Sequence, residues 1–287
     1  VYGQIKCSTW NASSMKENKI EITDYFLSKE KFFVQKTSVE GVLETVPKPK
    51  AIKNYYASSE YLSHNKGKTL FAQLYFFFKK TSFNSKTRLI NSFKKNVVSL
   101  LDYGSGDGFF VYSLREKNIN AVGYDPFFKY DEKGMYNDPN FFKKNNLNTF
   151  DVITMWHSLE HTDSYYKVLE NAKSMLSDEG VLIVACPNYK SFDSKYYKTY
   201  WAGYDVPRHL WHFSPTGMKT VFSSLGFELL KTKGLFWDPF YVSMISEKYK
   251  TSKFWYIKGF FVGLASCLAS IFNKNPSSVI YVVKKRE

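Results

Sequence analysis

The chain has 287 residues, of which 44% are hydrophobic and 19% aromatic, a composition that excludes a disordered, charge-rich polymer and supports one large domain with an elaborated extension. Its formal net charge is +14, but the lysines are scattered in pairs such as Lys79-Lys80, Lys94-Lys95 and Lys143-Lys144 rather than gathered in one run; they read first as a solubilising surface and second as an anion-binding footprint. Three widely separated cysteines, Cys7, Cys186 and Cys267, form no CxxC pair, which excludes a disulfide framework and a thiolate zinc site and suits a reducing cytosol.

Val1 to Trp10 lack the charged-then-apolar pattern of a signal peptide, so no leader is expected there. Residues 1–90 carry no glycine-rich motif. Tyr55, Tyr56, Tyr61 and the run Leu70 to Phe78 suggest aromatic-rich helices forming a lid or auxiliary layer.

From Val97 onward short apolar runs alternate with helical stretches, the pattern of βαβ units. The predicted strands are Val97 to Asp102, Asn120 to Asp125, Phe150 to Trp156, Gly180 to Pro187, Phe227 to Gly234 and Ser278 to Lys285. Helices fit over Gly108 to Lys117 and over Asp163 to Leu176, the latter capped by Thr162 or Asp163. The expected fold is α/β, a Rossmann-like, doubly wound, seven-stranded and mostly parallel sheet at 91–287, behind an N-terminal helical, aromatic extension at 1–90. More than 40 residues separate the last two strands, so an insertion at about 240–275 is expected. It holds an apolar stretch of 19 residues, Phe254 to Phe272, interrupted only by Lys258. This reads first as a buried helix and second as an interfacial membrane contact; a transmembrane span is awkward, because the final strand must return to the sheet.

The most informative segment is the turn after the first of these strands, where Asp102 and Tyr103 lead through Gly104, Ser105, Gly106 and Gly108 into a helix. Glycines at alternate positions permit a tight turn and close approach of the backbone to a ligand. The dinucleotide fingerprint GxGxxG would need glycine at position 109, which is Phe109, and this argues against a nicotinamide dehydrogenase. The next strand ends in Asp125, followed by Pro126, where a Rossmann-like unit places a carboxylate for ribose hydroxyls.

The segments LDYGSGDG, VGYDP, FDVITMWHSLEH and GVLIVACPN, in this order, resemble the four main motifs of class I methyltransferases. The run Tyr204 to Leu229, with its Asp-x-Pro-Arg-His segment, is similar to the type 23 subgroup, as are TDYFLS and YYASSEYLSH upstream. The resemblance implies S-adenosylmethionine as cofactor. It would place Asp102, Tyr103, Gly104, Ser105, Gly106 and Gly108 by the methionine part, Asp125 and Pro126 by the ribose, Asn146 or Leu147 by the adenine, and Trp156 and His157 beside the methyl donor. Members of that subgroup often carry paired cysteines near the N-terminus. Here only Cys7 remains, with Thr37 to Gly41 where a second pair would stand, so no structural zinc is expected. More distantly the chain resembles ubiquinone-biosynthesis O-methyltransferases, whose Glu-x-x-Glu-His segment can hold a divalent cation; His157 replaces the first Glu here, leaving Glu160 and His161 as weak metal candidates.

Four of the five histidines fall in two groups, His157 and His161 with Glu160, and His209 and His212 with Arg208. Methyl transfer needs alignment of donor and nucleophile, and a base only where the acceptor must lose a proton. His157, His209 and His161 are the candidate catalytic residues. Tyr61, Asp205, Arg208, His209 and His212 are the candidate acceptor-binding residues, and Tyr200, Trp201, Trp211 and Trp237 are candidate cavity walls. The expected activity is O-methylation of a small molecule, sugar or lipid-linked intermediate by a cytoplasmic enzyme with a possible membrane contact at Phe254 to Phe272. Two rivals are a non-catalytic scaffold of the same fold and a nucleic-acid methyltransferase; the latter is disfavoured because WHSLEH stands where base-amino methyltransferases carry an NPPY-like tetrad.

Overall fold

A computed structural model describes residues 19–56, 70–128, 134–144 and 149–286. Cys7, Tyr61, Asn146 and Leu147 lie outside the described residues.

The first described elements are a meander, β1 (Lys19–Thr23), β2 (Lys31–Lys36) and β3 (Val42–Val46), and then a long helix, α1 (Leu70–Phe93). The Rossmann-like part then runs β4 (Ser99–Tyr103), α2 (Phe109–Arg115), β5 (Asn120–Tyr124), β6 (Met135–Tyr136), α3 (Phe141–Lys144), β7 (Phe150–Trp156), α4 (Tyr165–Met175) and β8 (Leu176–Pro187). It continues through α5 (Phe192–Tyr197), β9 (Trp211–Phe213), α6 (Pro215–Ser224), β10 (Phe227–Gly234), α7 (Asp238–Tyr249), α8 (Trp255–Asn273) and β11 (Ser278–Lys285).

The main sheet has seven strands in the order β10-β11-β8-β7-β4-β5-β6. All pairs are parallel except those of β11, which is antiparallel to both β8 and β10. Alternation along the strands builds two cores. Leu101, Ile153, Leu182 and Val184 face α4 and α6, while Leu100, Val152, Ile183 and Ala185 face α1 and α2, as period-two patterning requires when both sheet faces are covered. The chain passes from β4 to β5 on one side and to β7 on the other, which makes the carboxyl end of β4 the switch point where such sheets bind ligands.

The N-terminal extension differs from the helical layer expected. Residues 19–46 form a sheet in the order β1-β2-β3-β9, in which β9 returns from the other end of the sequence to pair with β3. Alternating Phe32 and Val34 pack with Ile22 against Tyr197, Trp201 and Tyr204, so these short strands bury one face only. Thr37 to Gly41 form the β2–β3 turn, closed by the Thr37 hydroxyl bonding to the carbonyls of Val39 and Val42. The helix at α4 is capped not by Thr162 or Asp163 but by Ser164, whose hydroxyl accepts from the Lys167 amide. The Phe254–Phe272 stretch is helical as predicted, but it is not a buried helix: of α8 only Gly259, Gly263 and Ser266 are buried.

Candidate functional site

At the switch point the turn after β4 is stitched to β5. The amides of Gly104 and Ser105 donate to the Tyr124 carbonyl at 2.7 and 3.0 Å. The Asp125 carboxylate accepts from the amides of Gly106 and Phe127, both at 2.9 Å. Gly104, Gly106 and Gly108 all have positive φ, but they differ in surroundings. A Cβ at Gly104 would fall 2.2 Å from the Ser158 side chain and one at Gly108 2.6 Å from the Tyr112 ring, whereas one at Gly106 would meet nothing within 4 Å. Two of the glycines therefore serve packing, and Gly106 presents bare backbone to open space. Tyr103 turns away to pack on Tyr124, and Pro126 is exposed beyond Asp125.

Beside the turn lies a cavity of about 340 Å³, bounded by Ser82, Phe83 and Lys86 of α1, by Asp102, Gly104, Ser105 and Asp107, by Phe109 and Phe110 of α2, and by Trp156 at the end of β7. Asp102 is buried and accepts from the Thr154 hydroxyl at 2.7 Å. Burial pushes its pKa up to about 6 against the opposing pull of Lys86 and Thr154. The Lys86 ammonium stands 4.5 Å from the centre of the Trp156 ring and 5.3 Å from that of Phe110. The Ser105 hydroxyl and the Trp156 indole nitrogen, both on residues lining the cavity, are buried without a hydrogen-bond partner. An acid, a base and aromatic faces in the cavity, with the Gly106 backbone and the Asp125 carboxylate on the adjoining turn, fit a zwitterionic amino acid joined to a nucleoside.

Past β7 the chain enters the histidine cluster. His157 has a left-handed backbone, with φ of 52°. Its Nε2 is 3.0 Å from Asp238 at the start of α7 and its Nδ1 is 3.4 Å from Glu160. Burial opposes charge on this imidazole, but the two carboxylates outweigh it and push the pKa up to about 10. His157 is therefore an imidazolium at neutral pH, which does not fit the base expected of it. Glu160 is 1% exposed, and its closest polar partner is the His157 ring at 3.4 Å; burial raises its pKa, but His157, His209 and His161 bring it down to about 2.

Carbonyl partners fix the tautomers of the next two rings. His161 Nδ1 is 3.0 Å from the Arg208 carbonyl and 2.9 Å from the Tyr56 hydroxyl, while burial and His209 push its pKa down to about 4. His209 Nδ1 is 2.9 Å from the Gly203 carbonyl and so carries the hydrogen. That leaves the second ring nitrogen, Nε2, facing Asp205 at 3.9 Å. The two rings meet edge to face at 4.5 Å, and Glu160, His161 and His209 offer ligand atoms within 4.8 Å of one another. The structure thus joins the two histidine groups that are separate in sequence.

Arg208, His212 and Asp205 stand differently from the acceptor-binding parts expected of them. Arg208 is 1% exposed and donates to Asp205 at 2.6 and 3.0 Å, to Asp24 at 3.2 Å and to the Tyr55 carbonyl at 3.2 Å. It clamps the N-terminal sheet to the loop before β9. His212 is buried against Thr45, whose hydroxyl donates to the His209 carbonyl, and burial pushes its pKa down to about 3. The expected aromatic walls also fall elsewhere. Trp201 is buried and donates to Asp193, Trp211 donates to the Thr162 carbonyl, Tyr200 stacks on Tyr25, and Trp237 is exposed at the start of α7.

With this geometry in hand, a family model described as a methyltransferase domain matches residues 63–232. The chain belongs to this family. It is a class I methyltransferase that uses S-adenosylmethionine. Among solved structures, 1,6-didemethyltoxoflavin-N1-methyltransferase from Burkholderia thailandensis is 10% identical, with a TM-score of 0.50 over 91% of this chain and 98% of that one. A SAM-dependent methyltransferase from Archaeoglobus fulgidus is 18% identical, with a TM-score of 0.46 over 74% of this chain and 100% of that one. These are likenesses of fold. No curated protein sequence matches the chain.

Sequence reasoning missed Phe83, Lys86, Tyr56 and Asp238 of this methyltransferase's site. Lys86 sits in a helix whose pattern suggests only an apolar layer, and Asp238 lies beyond β10. No spacing in the sequence ties either to the glycine turn.

Proposed function

We propose that the enzyme methylates an oxygen of a small molecule, sugar or lipid-linked intermediate in the cytoplasm, with His209 as the general base. The observation that carries this reading is the Nε2 of His209, left over once Nδ1 is tied to the Gly203 carbonyl, beside the buried, anionic Glu160. An acceptor hydroxyl would give its proton to Nε2, and Glu160 would stabilise the imidazolium that forms. The cofactor supplies an electrophilic methyl group on a sulfonium. Lys86 would hold its carboxylate, Asp102 its ammonium group and Asp125 its ribose hydroxyls, while the Gly106 backbone lets it approach. The faces of Trp156 and Phe110 suit a cation. His157, fixed as an imidazolium by two carboxylates, orders the start of α7 over the site. The Burkholderia enzyme is described with bound 1,6-didemethyltoxoflavin and S-adenosylhomocysteine, which is in keeping with a small-molecule acceptor. The test is a screen of phenols, sugars and polyprenyl-linked hydroxy compounds with labelled S-adenosylmethionine. Turnover of an amine in preference to every hydroxyl would reject the oxygen assignment.

A second reading has one specific observation in its favour. Glu160, His161 and His209 converge closely enough to ligate a divalent cation, which would add to the His157 contact of the buried Glu160. Chelation separates it from the base reading.

A further inference from the structure

α7 and α8 run antiparallel at close range. Gly259 faces Met244 and Gly263 faces Phe240, where an added Cβ would come within 2.5 and 2.7 Å of their Cα atoms. The inner side of α8 is held to the body by Ser266, whose hydroxyl donates to the buried Asp193 at 2.7 Å. The outer side is apolar and uncovered. Only 17% of the apolar window of α8 is buried, and Phe261, Leu268, Ile271 and Phe272 are 63, 52, 69 and 85% exposed. Phe236, Trp237 and Tyr241 extend the patch onto α7. So large a continuous apolar face marks an interaction site.

Charge decides the partner. From Lys248 to Arg286 the chain has no acidic residue, while Lys248, Lys250, Lys253, Lys258 and Lys274 are all exposed. Glu247, the carboxylate that precedes this stretch in sequence, is 4% exposed, and Asp193 beneath α8 is buried. A groove of about 720 Å³ at the turn between the helices combines Lys250, Lys253 and Lys258 with Phe254, Ile257 and Phe261. Apolar side chains ringed by lysines match an anionic lipid surface, with acyl chains below and phosphates at the rim. A symmetric second copy would set lysine against lysine. A span across the bilayer would tear Ser266 from Asp193 and pull β11 away from β8.

We propose that the α7–α8 hairpin docks this methyltransferase on the surface of an anionic phospholipid bilayer. Exposed Trp237 on the patch is followed directly by Asp238 on His157, so docking sets the histidine cluster beside the membrane. Taken with the acceptor reading above, on which this step rests, the acceptor is membrane-borne.

The test is co-sedimentation of the full chain with phosphatidylcholine vesicles, with and without phosphatidylglycerol. The expected result is salt-sensitive binding to the anionic vesicles only. It should weaken on the order of a hundredfold in the Lys250→Glu, Lys253→Glu, Lys258→Glu triple variant and also weaken in Phe261→Ser with Phe272→Ser. Unchanged S-adenosylhomocysteine binding in both variants would show that they are folded. No binding to either vesicle, equal binding by the variants, a dimer broken by Phe261→Ser, or retention of the protein after alkaline carbonate extraction would each overturn the proposal. Loss of cofactor binding by the wild type would reject the cofactor site and leave the vesicle result standing.

Discussion

The imidazole of His157, at the end of β7, stands 3.0 Å from the carboxylate of Asp238, at the start of α7, more than 80 residues later in the chain. The pair joins the Rossmann-like sheet to the apolar hairpin and keeps His157 charged, with its pKa pushed up to about 10. A histidine raised on folding contributes stability that is fully present below its unfolded value of about 6.5 and is lost as pH rises through the folded value. Denaturant melts across pH should therefore show the gap between wild type and Asp238→Asn widest between about pH 4, where the Asp238 carboxylate is ionised in both states, and pH 6.5, and closing toward pH 10. A gap that widens above that window would contradict this.

His161 and His212 work in the opposite direction. Their pKa values are pushed down to about 4 and about 3, so the folded state holds them neutral while the unfolded chain takes up protons below about pH 6.5. Their contribution is present above that pH and falls as pH drops, by up to about 1.4 kcal/mol per pH unit for each site. Replacing His212 by Asn should lower stability at neutral pH yet flatten the acid limb of the stability curve, which stepwise acid titration followed by circular dichroism can measure.

For His209, turnover and binding should separate. His209→Gln removes the basic Nε2 without adding bulk, and kcat is expected to fall by about 10²- to 10⁴-fold, while the affinity for S-adenosylhomocysteine stays at the wild-type value. A variant that keeps its rate would move the base elsewhere.

Arg208 should behave as a structural clamp. Arg208→Met leaves Asp24 buried without its cation, at a cost of about 3 kcal/mol or more, and the midpoint in urea should drop accordingly. If stability were unchanged and only the acceptor KM rose, the side chain would belong to acceptor recognition after all.

The base reading also predicts that dialysis against a chelator leaves the rate untouched. Loss of activity restored by a divalent cation, and lost again in Glu160→Gln, would favour the cation site formed with His161 and His209.

Much of this was legible in the sequence because the relevant physics is local. The strands at Phe150 to Trp156, Phe227 to Gly234 and Ser278 to Lys285 coincide with β7, β10 and β11 to the residue; for the first and last, apolar runs bounded by turns leave few alternatives. The glycine turn was legible because alternate glycines suit few other uses, though only the structure separates Gly106, which faces open space, from Gly104 and Gly108, which are packed. The meander of β1 to β3 was not, because one-sided strands of five or six residues give weak signals and their partner β9 lies about 165 residues away. The part of Arg208 was misread for a related reason. An arginine next to histidines suggests a ligand, but its partner Asp24 comes from the far end of the chain. The exposure of α8 was equally hidden, because an apolar run does not say whether protein covers it.

The most direct test of the central claim is isothermal titration of the protein with S-adenosylhomocysteine, with NADH as the control ligand and Asp125→Ala, Gly106→Val and Lys86→Ala as control proteins. Micromolar binding of the adenosyl ligand, no response to NADH, a loss of about 30-fold or more in Asp125→Ala and Lys86→Ala, of the order expected when charge-assisted hydrogen bonds are removed, and a loss in Gly106→Val from bulk at a positive-φ position, is the predicted result. Unaltered binding in Asp125→Ala and Gly106→Val, or no binding by the wild type, would contradict the assignment of the turn after β4 as the cofactor site.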